Sequence, residues 1–119
     1  MGLADRVSLV PGDLLSIPLG EGVYEACLAG QITHYLTESD NECLFQRVNR
    51  ALASGGKFVI DVPNSGDQIT EGAAFLSLVL WANSGGTAYA YETYDRLLRA
   101  SGFVRVVRAG ERWIVAEKE

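Results

Sequence analysis

Histidine, cysteine and proline are scarce in this 119-residue chain, which holds one, two and three of them respectively. A single histidine and two cysteines set among apolar residues supply no metal-ligand spacing, so no metal site is expected. Basic charge is also short. Ten Lys and Arg face fifteen Asp and Glu, for a formal net charge of -5. The basic residues form no run, which argues against binding to a phosphate backbone, and no nucleic-acid partner is expected. No apolar run reaches bilayer length: the longest apolar-rich stretch, Ala73 to Ala82, is interrupted by Ser77. No basic-then-apolar leader opens the sequence, so neither a membrane partner nor export is expected. Cys27 and Cys43 read as small buried hydrophobes in a reducing cytoplasm, although nothing in the sequence forbids a disulfide between them.

What remains is enough apolar material, 48% of residues, for one domain with a core. Arg6 to Pro11 is β-branched and alternating and reads as a short strand ending in the turn Pro11-Gly12-Asp13. Ser16 to Gly22 has loop composition. Val23 to Ala29, apolar except for Glu25, has the pattern of a buried parallel strand. Ser39 or Asp40 can cap a helix whose apolar positions are Leu44, Val48, Ala51 and Leu52, with Gly55-Gly56 as its stop. Lys57 to Val62 reads as a second buried strand, and Glu71 to Asn83 as a helix apolar nearly all round. Tyr91 to Ser101 is an amphipathic helix with a Tyr94, Leu97 and Leu98 stripe. Phe103 to Val107 and Trp113 to Ala116 flank Gly110 as an antiparallel pair. Strands alternating with helices place the chain in the α/β class.

Four segments, in order, resemble small-molecule O-methyltransferases of the class I S-adenosylmethionine-dependent family. They are GLADRVSLVPGDLL at Gly2 to Leu15, YEACLAGQITHYL from Tyr24, LFQRVNRALASGGKFVIDV from Leu44, and NSGGTAYAYETYDRLLRASGF from Asn83. The resemblance implies a Rossmann-like sheet of order 3-2-1-4-5-7-6 with the last strand antiparallel. This chain would supply strands 3, 4, 5, 6 and 7. Residues 1–119 are then expected to be the C-terminal part of a single methyltransferase domain. The Gly-rich turn after strand 1 and the ribose-binding acid of strand 2 have no counterpart here. Gly is needed at that turn because the backbone must approach the cofactor closely.

The same resemblance implies S-adenosylmethionine as cofactor. Asp13 would accept from the adenine amino group and Leu14 would pack beside the ring, although Pro11-Gly12-Asp13 could serve equally as a plain turn. Gly30 and Gln31 would lie beside the methionine moiety, on one rim with Asp13, because open α/β sheets bind ligands at the carboxyl ends of strands. His34 aligns with the histidine that deprotonates a substrate hydroxyl, a task suited to a group titrating near neutrality. Methyl transfer itself is an in-line displacement that needs alignment more than covalent help. Two departures stand against that role. Tyr35 and Leu36 replace the family's Asp-Trp, and Ala88 stands where an orienting acid is expected. Histidines at this point also occur without a catalytic duty. Trp81 and Asn83 match substrate-pocket positions, but core packing and a helix cap account for them as well. Asp61 lies in the fifth strand with its role open.

Methyl transfer to a hydroxyl of a small metabolite is the activity implied. A non-catalytic module of the same fold, for binding or oligomerisation, is the alternative, and a chance α/β likeness is a third. The strand-3 segment would have no neighbour to pair with, so a homodimer or a separate N-terminal half is the expected partner beside the small-molecule substrate.

Overall fold

The computed structural model describes residues 6–61, 89–110 and 112–119. Within them, β1 spans Tyr24–Gly30, a 3-10 turn covers Thr33–Tyr35, α1 spans Glu38–Ala51 and β2 Leu52–Asp61. After the undescribed stretch come α2 at Tyr91–Ala100, β3 at Phe103–Ala109 and β4 at Trp113–Lys118. The sheet runs β1-β2-β4-β3. β1 and β2 are parallel, and β4 is antiparallel to both its neighbours. With β1 as the fourth strand of the methyltransferase sheet, this is the expected 4-5-7-6 order with an antiparallel last strand.

The core lies between one face of this sheet and the two helices. Phe45 of α1, Tyr94, Leu97 and Leu98 of α2, Phe58 and Ile60 of β2, and Ile114 and Ala116 of β4 are buried together. Phe45 meets Phe58 edge-on at 5.6 Å between centroids, and Phe58 meets Phe103 at 5.8 Å. Such contacts add to the burial of large aromatic surfaces. A bulge between Phe103 and Arg105 lets both Phe103 and Val106 face this core although they are three residues apart.

Several expectations change. Arg6 to Pro11 forms no strand, and among the described residues the sheet has four strands rather than five. Leu9 there is 92% exposed. Extended backbone without a neighbouring strand has no partner for its N–H and C=O groups, so it is left to water. β1 is not buried on both faces: only Ala29, on the side of the helices, is fully covered, whereas Leu28 on the opposite side is exposed. Thr37 rather than Ser39 or Asp40 caps α1, its hydroxyl accepting from the Asp40 N–H at 3.1 Å.

Gly55-Gly56 does not stop α1, which ends at Ala51. Tyr24 pairs with Leu52 and Ala26 with Lys57, so the residues between Leu52 and Lys57 bulge outward. Gly55 takes φ +78° there, a conformation glycine adopts without steric cost. Cys27 is half-buried but Cys43 is exposed on α1, and both are free thiols. The helix expected at Glu71 to Asn83 falls outside the described residues. No helix among the described residues is long and apolar enough to cross a membrane.

Candidate functional site

Parallel β1 and β2 end side by side, with Gly30 paired to Asp61. Ligand sites in open α/β sheets form at such carboxyl ends. The chain leaves β1 through Gln31, whose φ is +56°. A residue with a side chain is uncommon in that left-handed region, and strain of this kind concentrates at functional sites. One backbone interaction holds Gln31 in place: its N–H donates to the Asp61 carbonyl at 3.4 Å.

The 3-10 turn that follows is pinned from both helices. Asn41 of α1 donates through Nδ2 to the Thr33 carbonyl at 2.8 Å. The Thr33 and Tyr94 hydroxyls share a buried hydrogen bond of 2.7 Å, and the Tyr89 hydroxyl donates to the Leu36 carbonyl at 2.6 Å. Burial pushes the Tyr94 phenol well above its ordinary range, although its bond to Thr33 opposes this. Tyr94 is therefore a neutral strut. A short turn held by three side chains places its own residues firmly.

His34 is the middle residue of this turn. It is 4% exposed, with its ring 4.4 Å from that of Tyr35. Its Nδ1 is buried without a hydrogen-bond partner among the described residues. Burial lowers its proton affinity, and the negative charge of Asp61 partly restores it. The neutral imidazole is thus the favoured form near neutral pH.

Asp61 is also held by Arg112, which donates from Nε to Oδ1 at 2.5 Å and from Nη2 to Oδ2 at 2.9 Å. That hydrogen bonding is the main reason the Asp61 carboxyl lies below its ordinary value, with Gln31 and the charges of Arg112 and His34 adding to it against the effect of burial. Gly30, Gln31, Asp61 and Arg112 are therefore joined by backbone pairing and hydrogen bonds at the carboxyl ends of β1 and β2, and His34 stands in the turn that follows Gln31.

Of the residues singled out from sequence, Gly30 and Gln31 belong to this set, and His34 to the turn that follows it. Asp13 and Leu14 sit in a turn: Asp13 Oδ1 accepts from the Leu15 N–H at 2.9 Å, and the Asp13 carbonyl accepts from Ser16 and Ile17. Leu14 and Leu15 pack against the core. No described contact joins Asp13 to Gly30 or Gln31. Trp81 and Asn83, with Ala88, lie outside the described residues. Asp61 and Arg112 were not assigned from sequence. An acid at the end of a parallel strand was the available signal for Asp61, whereas Arg112 gave none. Among the described residues no cluster could hold a metal ion. An apolar cavity of about 250 Å³ lies by Leu19, Tyr24 and Leu52 at the amino end of β1, away from this set.

No protein-family model matches the sequence. An L-tyrosine C(3)-methyltransferase of Streptomyces lavendulae is 31% identical over 107 residues, which cover 86% of this chain and 29% of the relative. PigF, solved with S-adenosylhomocysteine, superposes with a TM-score of 0.79 at 30% identity, over 99% of this chain and 37% of its own. A structure from Nostoc punctiforme, provisionally assigned as an O-methyltransferase, gives 0.83 at 27% identity, over 98% of this chain and 38% of its own. The chain thus spans well under half the length of the proteins it matches. By fold and by sequence it is similar to class I S-adenosylmethionine-dependent methyltransferases, and it matches the C-terminal part of their larger chains.

Proposed function

We propose that this chain is the acceptor-side part of a methyltransferase that moves a methyl group from S-adenosylmethionine to a hydroxyl of a small aromatic metabolite. The observation that carries this is His34: a buried, neutral imidazole with an unpartnered Nδ1, held rigidly at the strand ends beside a carboxylate. The tyrosine methyltransferase among the relatives acts on a phenol-bearing molecule, which supports an aromatic acceptor.

Residues at the rim fit the cofactor. Gly30 is exposed, and a Cβ built there would meet nothing within 4 Å, so bare backbone is open to a ligand beside Gln31. Asp13 would hold the adenine amino group and Leu14 its ring, with Trp81 and Asn83 toward the acceptor. When bound, the cofactor supplies an electrophilic methyl group on a sulfonium. The chain's own work is on the proton and on alignment. His34 would take the acceptor's O–H proton, and the electron pair left on oxygen would form the new bond to carbon while the pair of the breaking carbon–sulfur bond stays on sulfur, which leaves as the neutral thioether S-adenosylhomocysteine. Turn and rim keep the acceptor in line, which lowers the entropic part of the barrier. The negative charge of Asp61 would favour the imidazolium as it forms.

Deprotonating a phenol also makes the adjacent ring carbon nucleophilic. The same base would therefore serve carbon methylation, as the name of the Streptomyces relative indicates for that enzyme. Methyl transfer to oxygen is the form proposed here. A non-catalytic module is the second reading, and the unpaired edge of β1 favours it to the extent that another chain or half must dock there.

Transfer of labelled methyl from S-adenosylmethionine to simple phenols tests the proposal, with calorimetry against S-adenosylhomocysteine as its binding arm. His34→Gln is expected to lower turnover by about 10²–10⁴-fold, the usual worth of a general base. An unchanged rate would assign His34 to packing.

A further inference from the structure

The buried stripe of α1 runs Asn41, Leu44, Phe45 and Val48, the spacing of a helix face turned to a core. Three of these are apolar. Asn41 is not, yet it is fully buried. Asparagine is a poor helix former, and an amide taken out of water destabilises the fold unless it regains hydrogen bonds. Asn41 regains one: its Nδ2 donates to the Thr33 carbonyl at 2.8 Å, whereas its Oδ1 has no partner among the described residues. The carbonyl does not depend on it, since it also accepts from the Leu36 N–H at 3.2 Å. For the stability of α1 alone, an aliphatic side chain at this position would serve better.

What the bond does fix is a plane. The Thr33 carbonyl belongs to the peptide group that carries His34, and that group is rigid from the Thr33 Cα to the His34 Cα. On its other side Thr33 is held by α2, through the 2.7 Å bond between its hydroxyl and that of Tyr94. Thr33, Asn41 and Tyr94 are each no more than 1% exposed, so water does not compete for either bond. A 3-10 turn of three residues has few bonds of its own, and their geometry is poor. The bond from Asn41 anchors it from outside.

We propose that Asn41 is a positioning residue for His34: it occupies a core position of α1 to fix the Thr33–His34 peptide plane, and with it the direction in which the imidazole leaves the backbone. This role rests on that of His34 as the base. Stability and function should then part company at one residue. Asn41→Leu keeps the branched shape, completes the apolar stripe and leaves the Thr33 carbonyl paired with Leu36. It should preserve the fold while loosening the turn.

The full chain is compared with Asn41→Leu, Asn41→Ala and Val48→Ala. The last opens the same stripe at its far end, beside the apolar cavity and away from the turn. The readings are the denaturant midpoint, the NMR order parameters of the His34 and Tyr35 amides, and methyl transfer to simple phenols. Asn41→Leu is expected to match or exceed the parent's midpoint and to lower the order parameters from the rigid value of about 0.85. Its kcat should fall by about 10- to 10²-fold, with KM for the phenol little changed. Asn41→Ala should show the same losses of order and rate, and guards against overpacking in the first variant. Val48→Ala should do the reverse, lowering the midpoint while order and kcat are retained. Order parameters unmoved in both Asn41 variants, or lowered as much by Val48→Ala, overturn the proposal. That measurement needs neither cofactor nor turnover. If order falls and the rate does not follow, Asn41 places the turn but His34 is not the base, and the methyl-transfer reading fails by itself.

Discussion

Across the face that meets the helices, paired positions run Cys27, Phe58, Ala116 and Val106, and next to them Ala29, Ile60 and Ile114. Across the opposite face the matching row is Leu28, Val59, Val115 and Val107, hardly less apolar. The first row is closed over by Phe45, Tyr94, Leu97 and Leu98. In the second, Leu28 is 65% exposed, and Val107 and Trp113 are also open to solvent. Similar residues thus have different fates, decided by what packs on them. Next to the open apolar row lies a charged one, Lys57, Glu117 and Arg105, in register across three strands. Opposite charges in neighbouring positions favour this pairing modestly and keep that part of the face wet.

The contrast can be broken by substitution. On the closed face, Phe58→Ala should cost about 3–5 kcal/mol, because the space between Phe45 and Phe103 cannot refill. That is a large share of a typical domain's stability, and denaturant unfolding would show it as an early midpoint. Tyr94→Phe removes only the hydroxyl shared with Thr33 and should cost about 1–2 kcal/mol, the usual penalty for leaving a buried polar group unpaired.

Acidification probes the same side through the site. Burial holds the His34 proton affinity below its ordinary value of 6.5, so below that pH the unfolded chain takes up a proton that the folded chain refuses. Stability should therefore be present above about pH 6.5 and fall below it, and His34→Gln should remove this slope. Asp61, held down chiefly by Arg112, adds a second loss below its ordinary 3.8, as pH falls through its depressed folded value. Denaturant midpoints recorded against pH separate the two windows. On the open face, Leu28→Ser should change stability by less than about 0.5 kcal/mol in this chain. A loss nearer that of Phe58→Ala would show the two faces to be equally covered.

Much of the closed face was legible in sequence because its signals are local. The Tyr94, Leu97 and Leu98 stripe repeats at helical spacing, and Gly110 separates two β-rich runs that do form a hairpin. Periodicity records which residues are apolar, not which neighbours exist. The run Ala26 to Ala29 therefore suggested a strand buried on both faces, when β1 has a free edge. Local signals also competed at the ends of α1. Thr37 took the cap ahead of Ser39 and Asp40, and the helix gave way to strand before Gly55 could stop it. In the site, Gly30, Gln31 and His34 were singled out through the family resemblance. The pairing of Asp61 with Arg112 was not, since it depends on a register between β2 and β4 that no local pattern encodes.

β4 lies between β2 and β3, although it comes last of the four in the chain. On the ribosome, β2 must therefore emerge and wait, its inner edge bare, until the hairpin has been synthesised and can slide in beside it. During that interval the β2 edge that β4 later covers is free to pair wrongly. A stop codon or a proteolytic cut that removed only β4 would take the keystone rather than an end stone, leaving β3 with no neighbour and Asp61 on a strand paired with β1 alone.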